Sequence, residues 1–400
     1  MSKAQDPANL TNVGQRLIEQ NPHRNYAMNW NLNIQRQIAS NLTAVIAYVG
    51  SRTNHSPFST DDSNMVLPSL TSAGYLWPCG PNGKPGVTCA SQFSPTGTEA
   101  NPLHTPVLNP SVGRIRATWW DNSSSYHGLQ AGMAKTMSHG FQVQGSYTWS
   151  KCIDMGSGGM LGDPYANSLS SLMFFNRGGR RGPCDFNIAH NFVVNYLWHP
   201  PTPKFGGVAA QHVLGGWEFG GVILASTGSP FTAVVGGDPL GQNSSDPKDF
   251  AQRLSGPGCD HPVNPGSVTQ YIKVECFGPP VVPASFPGPC VLASDGSGGT
   301  ITNTCMNLFG NSGRNTLVGP GLLNVDFSVF KNNYVPRISE AFNIQFRAEF
   351  FNLMNHPNFQ APIKTSAVLN VDGTPADGAG QITETSTTSR QIQFGLKVIW

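Results

Sequence analysis

The chain has 400 residues and a formal net charge of +2, and only 12% of it is charged, about half the share usual in a soluble domain. That balance gives no reason to expect a nucleic-acid partner. No apolar run is long enough for a membrane helix, but alternating strands can cross a membrane while keeping hydropathy low.

Residues 1–23 are polar and read as loop. Then Tyr26, Met28, Trp30, Leu32 and Ile34 alternate with Ala27, Asn29, Asn31 and Asn33, the period-two pattern of a strand with one apolar and one amide-rich face. A tight turn around Ala39–Asn41 leads to a second strand from Leu42 to Val49. The stretch from Arg52 to Asn122 is rich in Pro, Gly, Ser and Asn and reads as a long loop. Ser123 to Thr136 is a third strand, and Ser138-His139-Gly140 a short turn. The fourth strand is the most regular: Phe141, Val143, Gly145, Tyr147 and Trp149 against Gln142, Gln144, Ser146, Thr148 and Ser150.

A Gly-rich loop over 152–184 precedes a fifth strand from Phe186 to Trp198. A Pro-rich connection leads to a sixth, Trp217 to Thr232. A third long loop covers about 236–318. Leu323, Val325, Phe327 and Val329 mark a seventh strand, and Phe342, Ile344, Phe346, Ala348 and Phe350 an eighth. After a loop over 352–388 the chain closes on SRQIQFGLKVIW. There Ile392, Phe394, Leu396, Val398 and Trp400 share one face, and Gln391, Gln393, Gly395 and Lys397 the other. This ending resembles the C-terminal signal of bacterial outer-membrane barrels, carried by Gln393, Gly395, Val398 and the terminal Trp400. In that class the barrel-assembly machinery reads the signal.

Alternation of direction sorts the connections. With the last strand ending in the periplasm, 331–341, 199–216, 138–140 and 38–41 lie on that side. The long connections 352–388, 236–318, 152–184 and 52–122 lie outside, which is the asymmetry of a transmembrane barrel. All eight cysteines fall in the outer connections, where disulfides persist. No C-x-x-C and no zinc spacing occurs. Local pairing joins Cys79 with Cys89 and Cys152 with Cys184. Cys259, Cys276, Cys290 and Cys305 pair among themselves in an order that spacing leaves open.

The expectation is therefore an all-β chain, an antiparallel transmembrane β-barrel of about nine strands with long extracellular loops, placed in the outer membrane with its lipid as solvent. Single-chain bacterial barrels have even strand numbers, and MSKAQDPANL has no apolar signal core. Residues 1–400 thus read as the C-terminal part of a larger barrel.

Several segments resemble TonB-dependent receptors of the Oar-like type: Arg181–Phe192 (RGPCDFNIAHNF), Gly215–Thr232, Gly310–Lys331 (GNSGRNTLVGPGLLNVDFSVFK) and Phe346–Phe359 (FRAEFFNLMNHPNF). The resemblance implies a barrel wall for energised passage of a large ligand: oligosaccharide, peptide or protein. It also implies a plug and an N-terminal regulatory-like domain, neither found here, and contact with the inner-membrane TonB complex only through that plug. The family pattern has Ser where this chain has Cys184, which points to an added disulfide. A self-contained porin or adhesin is the alternative, and a secreted carbohydrate-binding sandwich a more distant one.

No catalytic nucleophile grouping, phosphate-cradling loop, cofactor motif or metal motif occurs, so no enzyme activity and no cofactor is expected. His190 and His356 read as structural hydrogen-bonding residues. Arg177, Arg180 and Arg181 form a basic turn, read as a solvated loop end with contact to anionic sugars or a ligand as the sharper reading. Asp326, Arg347 and Glu349 fall on the lumen face, where ion pairing with one another would satisfy them. Trp149, Tyr196, Trp198, Trp217 and Trp400 sit near strand ends, as in an interfacial aromatic girdle.

Overall fold

The computed structural model describes residues 15–60, 63–64, 67–76, 108, 115–157, 174–203, 205, 207–236, 248–280, 308–363, 366–370 and 373–400. Nine long antiparallel strands form one sheet in sequence order: β1 (Tyr26–Ala39), β2 (Leu42–Ser59), β3 (Ile115–Ser138), β4 (Phe141–Asp154), β5 (His190–Trp198), β6 (Trp217–Ser226), β7 (Leu322–Tyr334), β8 (Asn343–Phe351) and β9 (Gln391–Ile399). Among the described residues β1 and β9 each pair on one side only, so the sheet is an open wall.

Register makes the alternation of each strand continuous across the sheet. One rung runs Ile46–Ala131–Tyr147–Phe192–Ala225–Leu323, and another joins Phe327, Phe350 and Ile392. All these side chains lie on one face. That face is uncovered: Leu32 is 62% exposed, Ile46 58%, Phe394 67% and Leu396 71%. A water-soluble sheet buries such a face against a second layer. A transmembrane barrel presents it to hydrocarbon. The opposite face is lined by Asn29, Asn31, Asn33, Gln35, Gln142, Gln144, Asn195, Gln345 and Gln393, amides suited to a watery lumen.

Short and long connections segregate to opposite rims. On the inner rim β3 and β4 are joined by His139 and Gly140, with φ of 52° and 74°. Both residues of a primed two-residue turn need positive φ, so the strands keep their twist. A Cβ on Gly140 would lie 2.2 Å from the His199 carbonyl oxygen. The Pro-rich inner connection contains a helix, α1 (Gly207–Leu214). There Trp217 Nε1 donates to the Val213 carbonyl at 2.9 Å.

Four differences from the sequence reading have physical causes. The N-terminal stretch is not all loop, since Gln15–Ile18 pairs in parallel with Ile115–Thr118. Strands β2 and β3 run further outward than hydrophobic alternation marks, to Ser59 and from Ile115, because backbone pairing continues through polar residues. Strand β5 starts at His190 rather than Phe186. The segment before it is held instead by Cys184 N–H to the Cys152 carbonyl at 3.1 Å and Cys152 N–H to Asn187 Oδ1 at 2.7 Å. Strand β6 ends at Ser226, where Gly228 passes so close to Gly319 that a Cβ would lie 2.0 Å from the Gly319 oxygen.

The largest difference concerns the outer connections after β6 and β8. They pack together around a core of Phe231, Val235, Ala251, Tyr271, Ile272, Phe277, Leu317, Val368 and Leu369, all nearly inaccessible to solvent. Strand Val234–Gly236 pairs with Lys248–Phe250 on one side and with Ala367–Leu369 on the other. These apolar residues are scattered over more than a hundred positions of Pro- and Gly-rich chain, so no periodicity announces them.

Candidate functional site

The outer rim is where the chain concentrates buried polar chemistry. Arg314, in the turn between the loop unit and β7, is 1% exposed. Its guanidinium enters the bend that follows β4. Nη1 donates to Asp185 Oδ1 at 3.0 Å, Nε to the Arg180 carbonyl at 3.0 Å, and Nη2 to the Gly182 carbonyl at 3.2 Å and to the Asp154 carboxylate. A planar fork of five donors is the side chain suited to two carboxylates and several carbonyls at once. Asn315 (φ 57°) donates its side-chain Nδ2 to Asp185 Oδ1 at 2.6 Å and to the Pro183 carbonyl at 2.8 Å. Burial pushes the Asp185 carboxyl above its ordinary pKa, while the Asn315 bond and the Arg314 charge pull it down. The Cys152–Cys184 disulfide, with Cα atoms 5.4 Å apart, closes the same bend. The segments Arg181–Phe192 and Gly310–Lys331, more than a hundred residues apart in sequence, thus meet through Arg314, Asn315 and Asp185.

The basic turn differs from its sequence reading. Arg180 is 2% exposed and lies over the Phe58 ring, 4.1 Å from its centroid, with Asp121 at 3.8 Å. A helical turn, Arg177–Arg180, buries it, capped by Asn176 accepting from Gly179 N–H at 3.3 Å. Arg180 is therefore part of the rim's packing rather than a solvated loop end. Arg181 stays exposed, and the side chain of Arg177 lies outside the described residues. Arg314 is the residue that sequence reasoning missed. Its one signal was its place inside a family-like segment.

Next to this cluster is a groove of about 340 Å³ lined by Glu19, His23, Phe58, Trp119, Trp120, Asp121 and Phe174. Glu19 Oε2 accepts the Trp120 N–H at 2.8 Å, which ties the N-terminal strand to β3. The Trp119 Nε1 donor is buried with no hydrogen-bond partner among the described residues.

Phe346–Phe359 forms a second junction. Asn352 (φ 50°) donates its amide to the His356 and Thr388 carbonyls at 3.0 and 3.2 Å, and its Oδ1 accepts the His356 N–H at 2.9 Å. Asn358, fully buried, accepts the Leu323 N–H at 2.7 Å and donates to Thr387 Oγ1 at 3.0 Å. Asn355 Oδ1 accepts the Arg390 N–H at 3.0 Å. Three asparagines thereby fix where β7 begins, β8 ends and β9 begins. His356 has the structural role expected, with Nδ1 3.3 Å from Asn358 Oδ1. His190 does too, with Nδ1 2.7 Å from Tyr147 Oη.

Asp326, Arg347 and Glu349 lie on the amide face, but the expected ion pairs do not form. Nearer amides hold Asp326 and Arg347 instead. Asp326 Oδ1 accepts from Asn324 Nδ2 at 2.9 Å and from Asn352 N–H at 2.8 Å. Arg347 Nε donates to Gln345 Oε1 at 2.6 Å, and its guanidinium lies 5.4 Å from the Phe330 centroid. Glu349 stands opposite Gln393, and Gly395 opposite Arg347. Val398 shares the outward face with Ile344, and Trp400, beyond the strand end, is 87% exposed.

Of the cysteine pairings, Cys152–Cys184 forms as spacing suggested. Cys259 pairs with Cys276 across 17 residues, one of the orders left open. Cys79, Cys89, Cys290 and Cys305 lie outside the described residues.

An uncovered aromatic face, an amide-lined opposite face and long connections on one rim define an outer-membrane β-barrel. The family model described as "outer membrane beta barrel domain" matches residues 1–393, and the chain belongs to that family. Its place is the cell outer membrane. No curated protein matches it. Among solved structures it is similar to the outer-membrane transporter YddB of Escherichia coli, with a TM-score of 0.42 at 9% identity over 97% of this chain and 34% of that one. It is also similar to the FrpB iron transporter of Neisseria meningitidis, with 0.36 at 10% identity over 96% and 32%. A third is the ferric-catecholate import receptor Fiu of E. coli, with 0.27 at 12% identity over 82% and 32%. The chain spans about a third of the length of these structures.

Proposed function

We propose that this chain forms part of the barrel wall of a TonB-dependent outer-membrane receptor that passes a large ligand with energy from the inner membrane. The observation that carries the reading is the outer rim. Its connections are folded into a packed unit and pinned to the wall through Arg314, which suits a surface that receives a ligand before passage. A simple diffusion pore has no need of such a unit.

Among oligosaccharide, peptide and protein, the groove beside Arg180 favours an oligosaccharide. Trp119 and Trp120 offer ring faces, and Glu19 offers an acceptor, the combination that orients a polyol. Coupling to the TonB complex would run through a plug, and the resemblance of the Gly310–Lys331 and Phe346–Phe359 segments to Oar-like receptors supports that assignment.

Two measurements test the reading. An immunoblot of outer-membrane fractions, with antibody to the loop around Cys259 and Cys276, should show a band far heavier than 42.8 kDa. Fluorescent oligosaccharide should accumulate in cells carrying the gene, not in a deletion strain, and should stop accumulating under a protonophore. A band at the mass of this chain together with uptake indifferent to the protonophore would establish the porin reading instead.

A further inference from the structure

Strands β2, β3 and β4 carry a groove on the outward face just below the outer rim. Its volume is about 470 Å³, and its lining includes Tyr48, His127, Leu129, Trp149, Lys151 and Asn187. Tyr48, Leu129 and Trp149 share one rung, and Gly50, His127 and Lys151 share the rung above. Arg52, exposed, stands one rung higher on β2. Apolar rings and an aliphatic side chain therefore lie toward the membrane, and two fixed cations lie toward the rim. The Tyr48 hydroxyl is 2.7 Å from His127 Nδ1, which fixes the imidazole against the phenol ring.

On the registered part of the sheet the carboxylates share the amide face, while the cations divide between the two faces, with Arg347 and Lys397 on the amide face. Arg36, Lys135 and Lys331 on the inner half and Arg52 and Lys151 on the outer half point outward. Asp154, Glu218, Asp326 and Glu349 point to the amide face. Two of the inner cations are satisfied within the protein. Lys135 Nζ donates to the Ser138 and Phe141 carbonyls at 3.2 and 2.7 Å, and Lys331 Nζ to the His212 carbonyl at 2.8 Å. At the outer end, Arg52 has one bond, Nε to Asn54 Oδ1 at 3.2 Å. Among the described residues neither Arg52 nor Lys151 has a carboxylate within ion-pair distance. Cations at a membrane boundary are stabilised by anionic headgroups.

We propose that this groove binds a phosphorylated amphiphile of the outer leaflet. Its phosphate sits between Arg52 and Lys151, and an acyl chain lies along Tyr48, Leu129 and Trp149. The two cations are two strands and one rung apart, about 12 Å at the backbone, a span that two long side chains close on one phosphate. The apolar floor is continuous with the hydrocarbon-facing band, so a lipid rather than free phosphate fits both halves.

The test uses the full chain in neutral-lipid nanodiscs doped with a multi-acylated diglucosamine lipid in monophosphorylated or dephosphorylated form. Native mass spectrometry reads the lipid retained per chain. The wild-type chain should keep one phosphorylated lipid and discriminate against the dephosphorylated form by about 30-fold, the value for two cations each acting on an anionic headgroup. The Arg52→Gln/Lys151→Gln double variant should lose that preference, and Arg36→Gln, at the inner end, should keep it. Inorganic phosphate should not compete. Equal retention of the two lipid forms by the wild-type chain would overturn the proposal whatever the variants do. An unchanged preference in the double variant, or competition by free phosphate, would also overturn it.

Discussion

Arg314 reaches back 129 residues to place its Nη1 3.0 Å from the Asp185 carboxylate, where both side chains are almost fully buried. The pair fixes the loop unit to the wall and lies on no periodic element. Replacing Arg314 by Met would leave Asp154 and Asp185 buried without a counter-charge, a loss of about 3–5 kcal/mol. The sheet itself does not depend on the pair. Arg314→Met should therefore keep the strand circular dichroism of the wild-type chain while its outer loops become sensitive to trypsin. Arg314→Lys should behave almost as badly, because an ammonium cannot span two carboxylates and the carbonyls of Asp154, Arg180 and Gly182. Loop protection as strong as wild type in both variants would contradict this role.

The two faces of β9 give a paired prediction. Leu396 points outward at 71% exposure, and Gln393 points to the amide face opposite Glu349. An arginine on the outward face near mid-membrane costs about 2–4 kcal/mol, and one facing a watery lumen costs little. Leu396→Arg should lower the urea midpoint of the chain folded in lipid vesicles, and Gln393→Arg should leave it near wild type. Reversed sensitivities would mean that the face assignment is inverted.

Tyr271 sets an alkaline limit on the loop unit. It is 3% exposed, its hydroxyl donates to the Val318 carbonyl at 2.9 Å, and burial pushes its pKa up to about 12 from 10.0. A pKa raised in the folded state gives stability that is complete below the unfolded value and is lost as pH rises through the folded one. The window therefore runs from pH 10 to about 12, and the amount at stake is about 3 kcal/mol. Protection of the loop unit from proteolysis should fall across that window. In Tyr271→Phe, which loses a hydrogen bond worth about 1 kcal/mol but cannot ionise, the fall should be shallower. An identical alkaline fall in both chains would count against Tyr271.

The Cys259–Cys276 bridge closes a 17-residue segment against the loop core, with Cys276 at 1% exposure. Loop-closure entropy puts its contribution at about 3 kcal/mol. Cys276→Ser should loosen the loop unit, read as faster amide exchange at Tyr271 and Phe277, while exchange in β7 and β8 stays slow. Exchange at Tyr271 and Phe277 as slow as in the wild-type chain would contradict this expectation.

Trp400 is 87% exposed and lies past the end of β9, so removing it costs the fold little. If it belongs to an assembly signal, Trp400→Ser should refold in detergent like wild type but accumulate poorly in the outer membrane of cells. Normal membrane yield would remove Trp400 from that role.

Local pattern determined the wall. Each strand alternates because a barrel solvates one face in hydrocarbon and the other in water, and that two-solvent constraint is written residue by residue from Tyr26 to Ile399. The split between short and long connections follows from it, as does the outward place of Trp149, Trp198 and Trp217. Only the tertiary structure decided the rim. Arg314 with Asp185, Tyr271 with Val318, and Cys259 with Cys276 join stretches of no common period, and their burial depends on loops folding onto one another. The sequence marked Arg180 as a solvated turn and the lumen charges as partners. Phe58 and Asp121 claim the first, and neighbouring asparagines and glutamines claim Asp326 and Arg347 of the second, because a charge takes the well-placed partner that the folded chain brings nearest.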